Sequence, residues 1–157
     1  MSIEDNNTNP QFGEIASLNE LFSEAKKLRK ARLPARVLVV EDDPLTRRIV
    51  TGSFKEHYAM VSSSTAQEAV EDYLMYAPDI VFLDIGLPDV DGFVALDLIM
   101  GIDPDAFVVM FSSNGYPENV EKALKMGAKG FVKKPFKKET MQRYIQGSAL
   151  HHQKSCA

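Results

Sequence analysis

Four short apolar runs in this 157-residue sequence end in residues that could do chemistry. Glu41, Asp42 and Asp43 follow Val37–Val40, and Asp84 follows Ile80–Leu83. Ser112 and Ser113 follow Phe107–Phe111, and Lys133, Lys134 and Pro135 follow Gly130–Val132. Carboxylates gathered about 5 Å apart repel by roughly 3 kcal/mol per pair at an effective dielectric near 20, so such a cluster needs a cation. Oxygen donors without His or Cys suit a hard ion, and few protein ligands with room for water or phosphate suit Mg2+ better than Ca2+. Asp84, alone after its run, is placed to be a nucleophile. Its attack on a phosphoryl group would form an acyl phosphate, with a metal ion and a lysine drawing charge from the phosphoryl oxygens and a hydroxyl donating to one of them. The simpler reading makes Glu41–Asp43 helix-capping acids and Lys134 their structural ion partner. It serves any one residue well, but it does not explain four runs that end in complementary chemistry.

The elements that must position these residues follow from the pattern around them. The runs, with Ala59–Val61 as a fifth, are three to five residues long and rich in Val, Ile and Phe, as in strands buried on both faces. Helix-like segments alternate with them: Pro44–Glu56, Thr65–Tyr76, Gly92–Met100, Pro117–Met126 and Lys137–Gln146. Five strands alternating with five helices imply a parallel sheet covered on both sides. In such a sheet ligands bind at the carboxyl ends of the strands, where the residues above lie. Asp43-Pro44 reads as an N-cap followed by proline at the first helical position.

Residues 1–13 are polar and Asn-rich and read as disordered. A helix is expected over 17–32, with Ser17 and Glu20 at capping-box spacing and Leu18, Leu21, Ala25 and Leu28 as its apolar stripe. It could pack on the domain, or dock a partner or self-associate. Residues 148–157, with His151 and His152, read as a flexible, solvated tail.

Hydrophobic residues are 45% and charged residues 25% of the chain, as in an average soluble globular domain. The net charge is −4, and since residues 1–35 carry five acids and five bases, the α/β portion holds the whole surplus. That balance argues against direct nucleic-acid binding. The single cysteine, Cys156, excludes an internal disulfide, and no apolar run reaches the roughly 20 residues of a membrane span. A cytoplasmic protein is the expectation.

The segments Val37–Asp43, Pro78–Gly92, Val108–Ser112 and Gly127–Phe136 resemble, in order and spacing, the receiver domain of two-component response regulators, and the chemotaxis receiver in particular. The resemblance covers Arg36 to about Gln146 and sets the domain at 36–147. It implies a flavodoxin-like, doubly wound (βα)5 fold with strand order 2-1-3-4-5, here with an N-terminal helical extension. It also implies Asp84 as phosphoacceptor, and Glu41 and Asp42 as holders of Mg2+ together with Asp84 and the Gly86 main-chain carbonyl. Ser112 and Lys134 would assist the chemistry, Pro135 would be cis, and Ser112 and Phe131 would form the switch. Gly86 and Asn114 stand where the family tunes phosphoryl lifetime. Phe131 in place of the commoner tyrosine lacks a hydroxyl, whereas Ser112 in place of threonine keeps its donor.

The implied partners are a histidine kinase or a histidine phosphotransfer protein as donor, and a downstream target protein. No effector segment is recognisable after Gln146, so a stand-alone regulator is expected, not an enzyme beyond its own phosphorylation and dephosphorylation. A phosphorylation-independent adaptor is the main alternative. A Mg2+-dependent phosphate hydrolase is disfavoured because Gly86 stands where such enzymes commonly place a second acid.

Overall fold

A computed structural model describes residues 10–153, with side chains from residue 19 onward. The strands β1 (Arg36–Val40), β2 (Ala59–Ser63), β3 (Ile80–Leu83), β4 (Val108–Ser112) and β5 (Gly130–Lys133) form one parallel sheet in the order β2-β1-β3-β4-β5. Register is continuous across its centre: Val40 pairs with Leu83 and with Ser63, and Ser112 pairs with Lys133. This alignment brings the carboxyl ends of β1, β3, β4 and β5 to a common edge, as expected from the sequence.

Alternation along the strands divides the core in two. Leu38, Val40, Val81, Leu83, Val108 and Met110 face one way. They meet α3 (Ala66–Tyr76), α4 (Gly92–Ile102) and α5 (Pro117–Lys125) through residues such as Tyr73, Leu96, Ile99 and Ala123. Val37, Val39, Ile80, Phe82, Val109 and Phe111 face the other way. There α2 (Pro44–Phe54) contributes Val50 and Phe54, and α6 (Lys138–His151) contributes Met141 and Ile145. The five expected strands and five expected helices are all present, with ends displaced by a few residues.

The two termini differ from expectation. The first helix, α1, runs from Pro10 to Arg29 rather than over 17–32. Pro10 suits a first helical position, where no N–H is needed. Ser17 and Glu20 consequently lie inside the helix and cannot form a capping box at its start. The packed face is also rotated by about one residue from the expected stripe. Leu21 and Leu28 are 45% and 65% exposed, while Phe22 and Arg29, seven residues apart, turn inward. The Phe22 ring lies 5.9 Å from that of Tyr73 on α3. Arg29 reaches Asp103, just past α4, at 3.0 Å, and Tyr73 donates to the same carboxylate at 2.8 Å. Lys26 completes the group at 3.1 Å. The basic end of α1 is therefore used partly as a buried electrostatic contact. These donors hold the Asp103 carboxyl at about 2, against the opposing effect of its burial.

At the other end, residues 148–151 continue α6 and are not a flexible tail. His152 is buried, with Nε2 2.9 Å from the Asp79 carbonyl oxygen, because α6 runs back beneath the sheet to the start of β3. The expectation of disorder at 1–9 and the last four residues of the expected tail, including Cys156, lie outside the described residues. Among the described residues no helix is long and apolar enough to cross a membrane.

Candidate functional site

The common sheet edge gathers the acids. Glu41 leaves β1 with its N–H on the Ser63 carbonyl oxygen, and Asp84 leaves β3 with its N–H on the Val40 carbonyl oxygen. One ligand atom from each of Glu41, Asp42 and Asp84 lies within 4.8 Å of the others. Glu41 and Asp84 are buried and Asp42 is exposed. At such separations each ionised pair costs about 3 kcal/mol at an effective dielectric near 20. The cluster is therefore an all-oxygen set with one open side, which fits a hard divalent ion.

Lys134 supplies part of the missing positive charge. Its Nζ donates to Glu41 Oε2, and to Asp84 Oδ2 at 3.0 Å. It also lies 4.8 Å from the centre of the Phe111 ring, a favourable position for a cation. Burial acts against the ammonium, but the bonds to Glu41 and Asp84 outweigh it and raise its pKa. Burial first, and the neighbouring Asp84 charge with it, push the Glu41 carboxyl up despite Lys134. Both shifts express the same physics: negative charge crowded into a partly dry site favours any arrangement that adds a proton or a cation.

Local hydrogen bonds orient the acids further. Glu41 Oε1 accepts the Asp43 N–H at 3.1 Å, and Asp84 Oδ1 accepts the Gly86 N–H at 3.2 Å. Asp43 is the α2 cap, with its carboxylate accepting the Thr46 N–H at 3.0 Å, and it stays out of the acidic cluster as the sequence suggested. Ser112 is buried at the end of β4, and its Oγ accepts the Asn114 N–H at 3.2 Å. The Lys134 N–H donates to the Ser112 carbonyl oxygen at 3.0 Å, tying the serine strand to the lysine loop. The Lys134-Pro135 bond is cis, as the resemblance implied. Phe131 is half-buried on β5 against the α3–α5 core, and a Cβ built on Gly115 would lie 3.8 Å from its ring. Gly86 has open space where a side chain would stand.

Three supporting features were not read from the sequence. Asp89, in the loop after Asp84, caps α3 by accepting the N–H groups of Ala66 and Gln67 at 2.9 and 3.0 Å. Gly92 opens α4 so tightly against β3 that a Cβ would sit 2.1 Å from the Asp84 carbonyl oxygen. Arg47 on α2 donates to the carbonyl oxygens of the acidic segment, at 2.8 Å for Glu41 and 3.4 Å for Asp42. Asp-Val-Asp-Gly at 89–92 was a usable signal for the first two, since it joins two capping acids to a glycine.

Comparison with known proteins places this arrangement. The sequence model of the response regulator receiver domain matches residues 37–146. The Chemotaxis protein CheY of Halobacterium salinarum is 36% identical over 111 residues, which cover 70% of this chain and 92% of that protein. The Chemotaxis protein CheY of Thermotoga maritima is 40% identical over 103 residues, covering 64% of this chain and 86% of that protein. Among solved structures, the CheX-CheY-BeF3-Mg+2 complex from Borrelia burgdorferi contains a chain with a TM-score of 0.69 and 32% identity. That match covers 77% of this chain and 96% of the other. A parallel sheet of this order, an acidic cluster bridged by a lysine and a family match over most of the chain lead to one conclusion: this protein belongs to the response regulator receiver family.

Proposed function

We propose that Asp84 accepts a phosphoryl group from a phosphohistidine on a donor protein, a histidine kinase or a histidine phosphotransfer protein. The observation that carries this reading is the gathering of Glu41, Asp42 and Asp84 within 4.8 Å of one another, bridged by Lys134. Glu41, Asp42, Asp84 and the Gly86 carbonyl would hold Mg2+, which when bound supplies positive charge to the phosphoryl oxygens. The Asp84 carboxylate attacks phosphorus, a P–O bond forms as the P–N bond breaks, and that electron pair returns to the imidazole nitrogen. Lys134 stays beside the acceptor and stabilises the charge that builds on the phosphoryl group. The buried Ser112 hydroxyl offers a donor to a phosphoryl oxygen. Phe131 then moves into the space left as Ser112 turns, and the face of α5, β5 and α6 changes its packing and its downstream partner.

Two features support a protein donor and a transient product. An apolar hollow of about 470 Å³, lined by Ile49, Phe111, Pro135 and Phe136 among others, opens beside Lys134 and offers a donor protein a seat. The open space over Gly86 gives water room to reach the acyl phosphate, and a glycine there offers no acid to protonate the leaving group of a phosphate ester. Incubation with acetyl phosphate tests the reading. One phosphoryl group per chain is expected with Mg2+ and none after chelation, and labelling that ignores Mg2+ would refute it.

A further inference from the structure

We propose that Arg47, which is not one of the clustered acids, is a positioning residue for the metal-binding segment; this rests on the Mg2+-dependent reading above. The three acids differ in how they are held. Glu41 is fixed by Lys134 and by the Asp43 N–H, and Asp84 by Lys134 and the Gly86 N–H. The Asp42 carboxylate is exposed, so its place is set by its main chain.

The N–H groups of that main chain are held by the Glu41 bond to Ser63 and the Asp43 bond to the Glu41 carboxylate, and its carbonyls by Arg47. The Arg47 guanidinium donates through Nη1 to the Glu41 carbonyl oxygen at 2.8 Å and, more weakly, to the Asp42 carbonyl oxygen at 3.4 Å. Its own backbone N–H donates to the Asp43 carbonyl oxygen at 3.0 Å. That last bond belongs to the first turn of α2 and survives any side chain at 47, so two of the segment's three carbonyls accept from the guanidinium itself. Fixing successive peptide planes fixes the Cα–Cβ directions between them, and with these the spot at which Asp42 presents its oxygen. Two effects of the guanidinium oppose each other. Its charge repels an incoming cation, a repulsion that solvent and salt weaken at this half-exposed position. Its hydrogen bonds assemble the ligands beforehand, and loss of such outer support commonly weakens metal binding 10- to 100-fold. Assembly is the larger effect.

The test is a calorimetric titration of Mg2+ into the full, unphosphorylated chain, well below the melting temperature of each variant. Arg47→Ala and Arg47→Gln are expected to bind Mg2+ at least about tenfold more weakly than the wild type. Arg47→Lys, whose ammonium can reach one carbonyl, falls between. Arg48→Ala, at the exposed neighbouring position, binds as the wild type does. In acetyl phosphate labelling, Arg47→Gln requires more Mg2+ but reaches the wild-type rate at saturation, which a general structural defect would not produce. Binding within twofold of the wild type, or a rate that stays low at saturating Mg2+, overturns the role. A wild-type chain that takes up no Mg2+ overturns the metal reading and this role with it. Normal wild-type uptake with an unaffected Arg47→Gln variant overturns the role alone.

Discussion

Replacing Arg29 by methionine should destabilise the whole receiver, although Arg29 precedes the family match. The substitution keeps the apolar stem and removes the charge. Asp103 is fully buried, so the loss leaves a carboxylate in a dry site with two of its three side-chain partners. Breaking a buried pair by removing one partner costs about 3–5 kcal/mol. Tyr73, at 2.8 Å, and the partly exposed Lys26, at 3.1 Å, still support Asp103, which places the cost at the low end, about 3 kcal/mol. For a chain of this size, that corresponds to a fall of roughly 6–12 °C in melting temperature. Urea unfolding followed by circular dichroism measures it, with Lys27→Met, on the exposed side of the same helix, expected within about 0.5 kcal/mol of the wild type. Combining Arg29→Met with Asp103→Asn should cost less than the sum of the two, because both act on one contact. An Arg29→Met chain as stable as the wild type, or an α1 that melts in a separate earlier transition, would refute the view that this helix belongs to the cooperative unit.

Other outcomes follow from the same structure. Gly92→Ala should destabilise the protein by about 1–3 kcal/mol in thermal unfolding and slow labelling of Asp84, because the new methyl meets backbone rather than a movable side chain. Unchanged stability and rate would show that the loop moves aside freely. His152 gives a pH dependence. Burial, with the nearby Arg29 charge, lowers it to about 4 from 6.5, so the unfolded chain takes up a proton that the folded chain refuses. Stability from this group is intact above pH 6.5 and declines as pH falls toward 4, by about 2 kcal/mol at pH 5. Denaturant titrations at pH 8 and pH 5 should show that loss, and His152→Gln should reduce the difference between them.

The parts of this protein that could be read from sequence are those whose signal is local. Buried parallel strands announce themselves as apolar runs, and the residue after each run is by geometry at the sheet edge, so the sequence alone places Glu41, Asp84, Ser112 and Lys134 together. Asp43 could be separated from its neighbours because a cap followed by proline is also a local pattern. What was missed depends on rotation and reach. One residue of rotation about the α1 axis decides whether Leu28 or Arg29 faces the domain, and an apolar count chose the leucine. A long arginine can serve an acid 74 residues away, which no spacing rule records. Arg47 was hidden for a related reason: its partners are carbonyl oxygens, which carry no sequence identity. Polar residues at the end of α6 suggest solvent and hence a tail, whereas His152 finds its partner in the backbone of Asp79.

The central claim concerns one oxygen atom, and locating the phosphoryl group measures it. After reaction with acetyl phosphate and Mg2+, borohydride reduction followed by peptide mass spectrometry should mark Asp84 alone, converting it to homoserine. The Asp84→Asn chain should stay unmarked while it still folds. A mark on Glu41, Asp42 or any other carboxylate in place of Asp84, or equal modification of Asp84→Asn, would contradict the account.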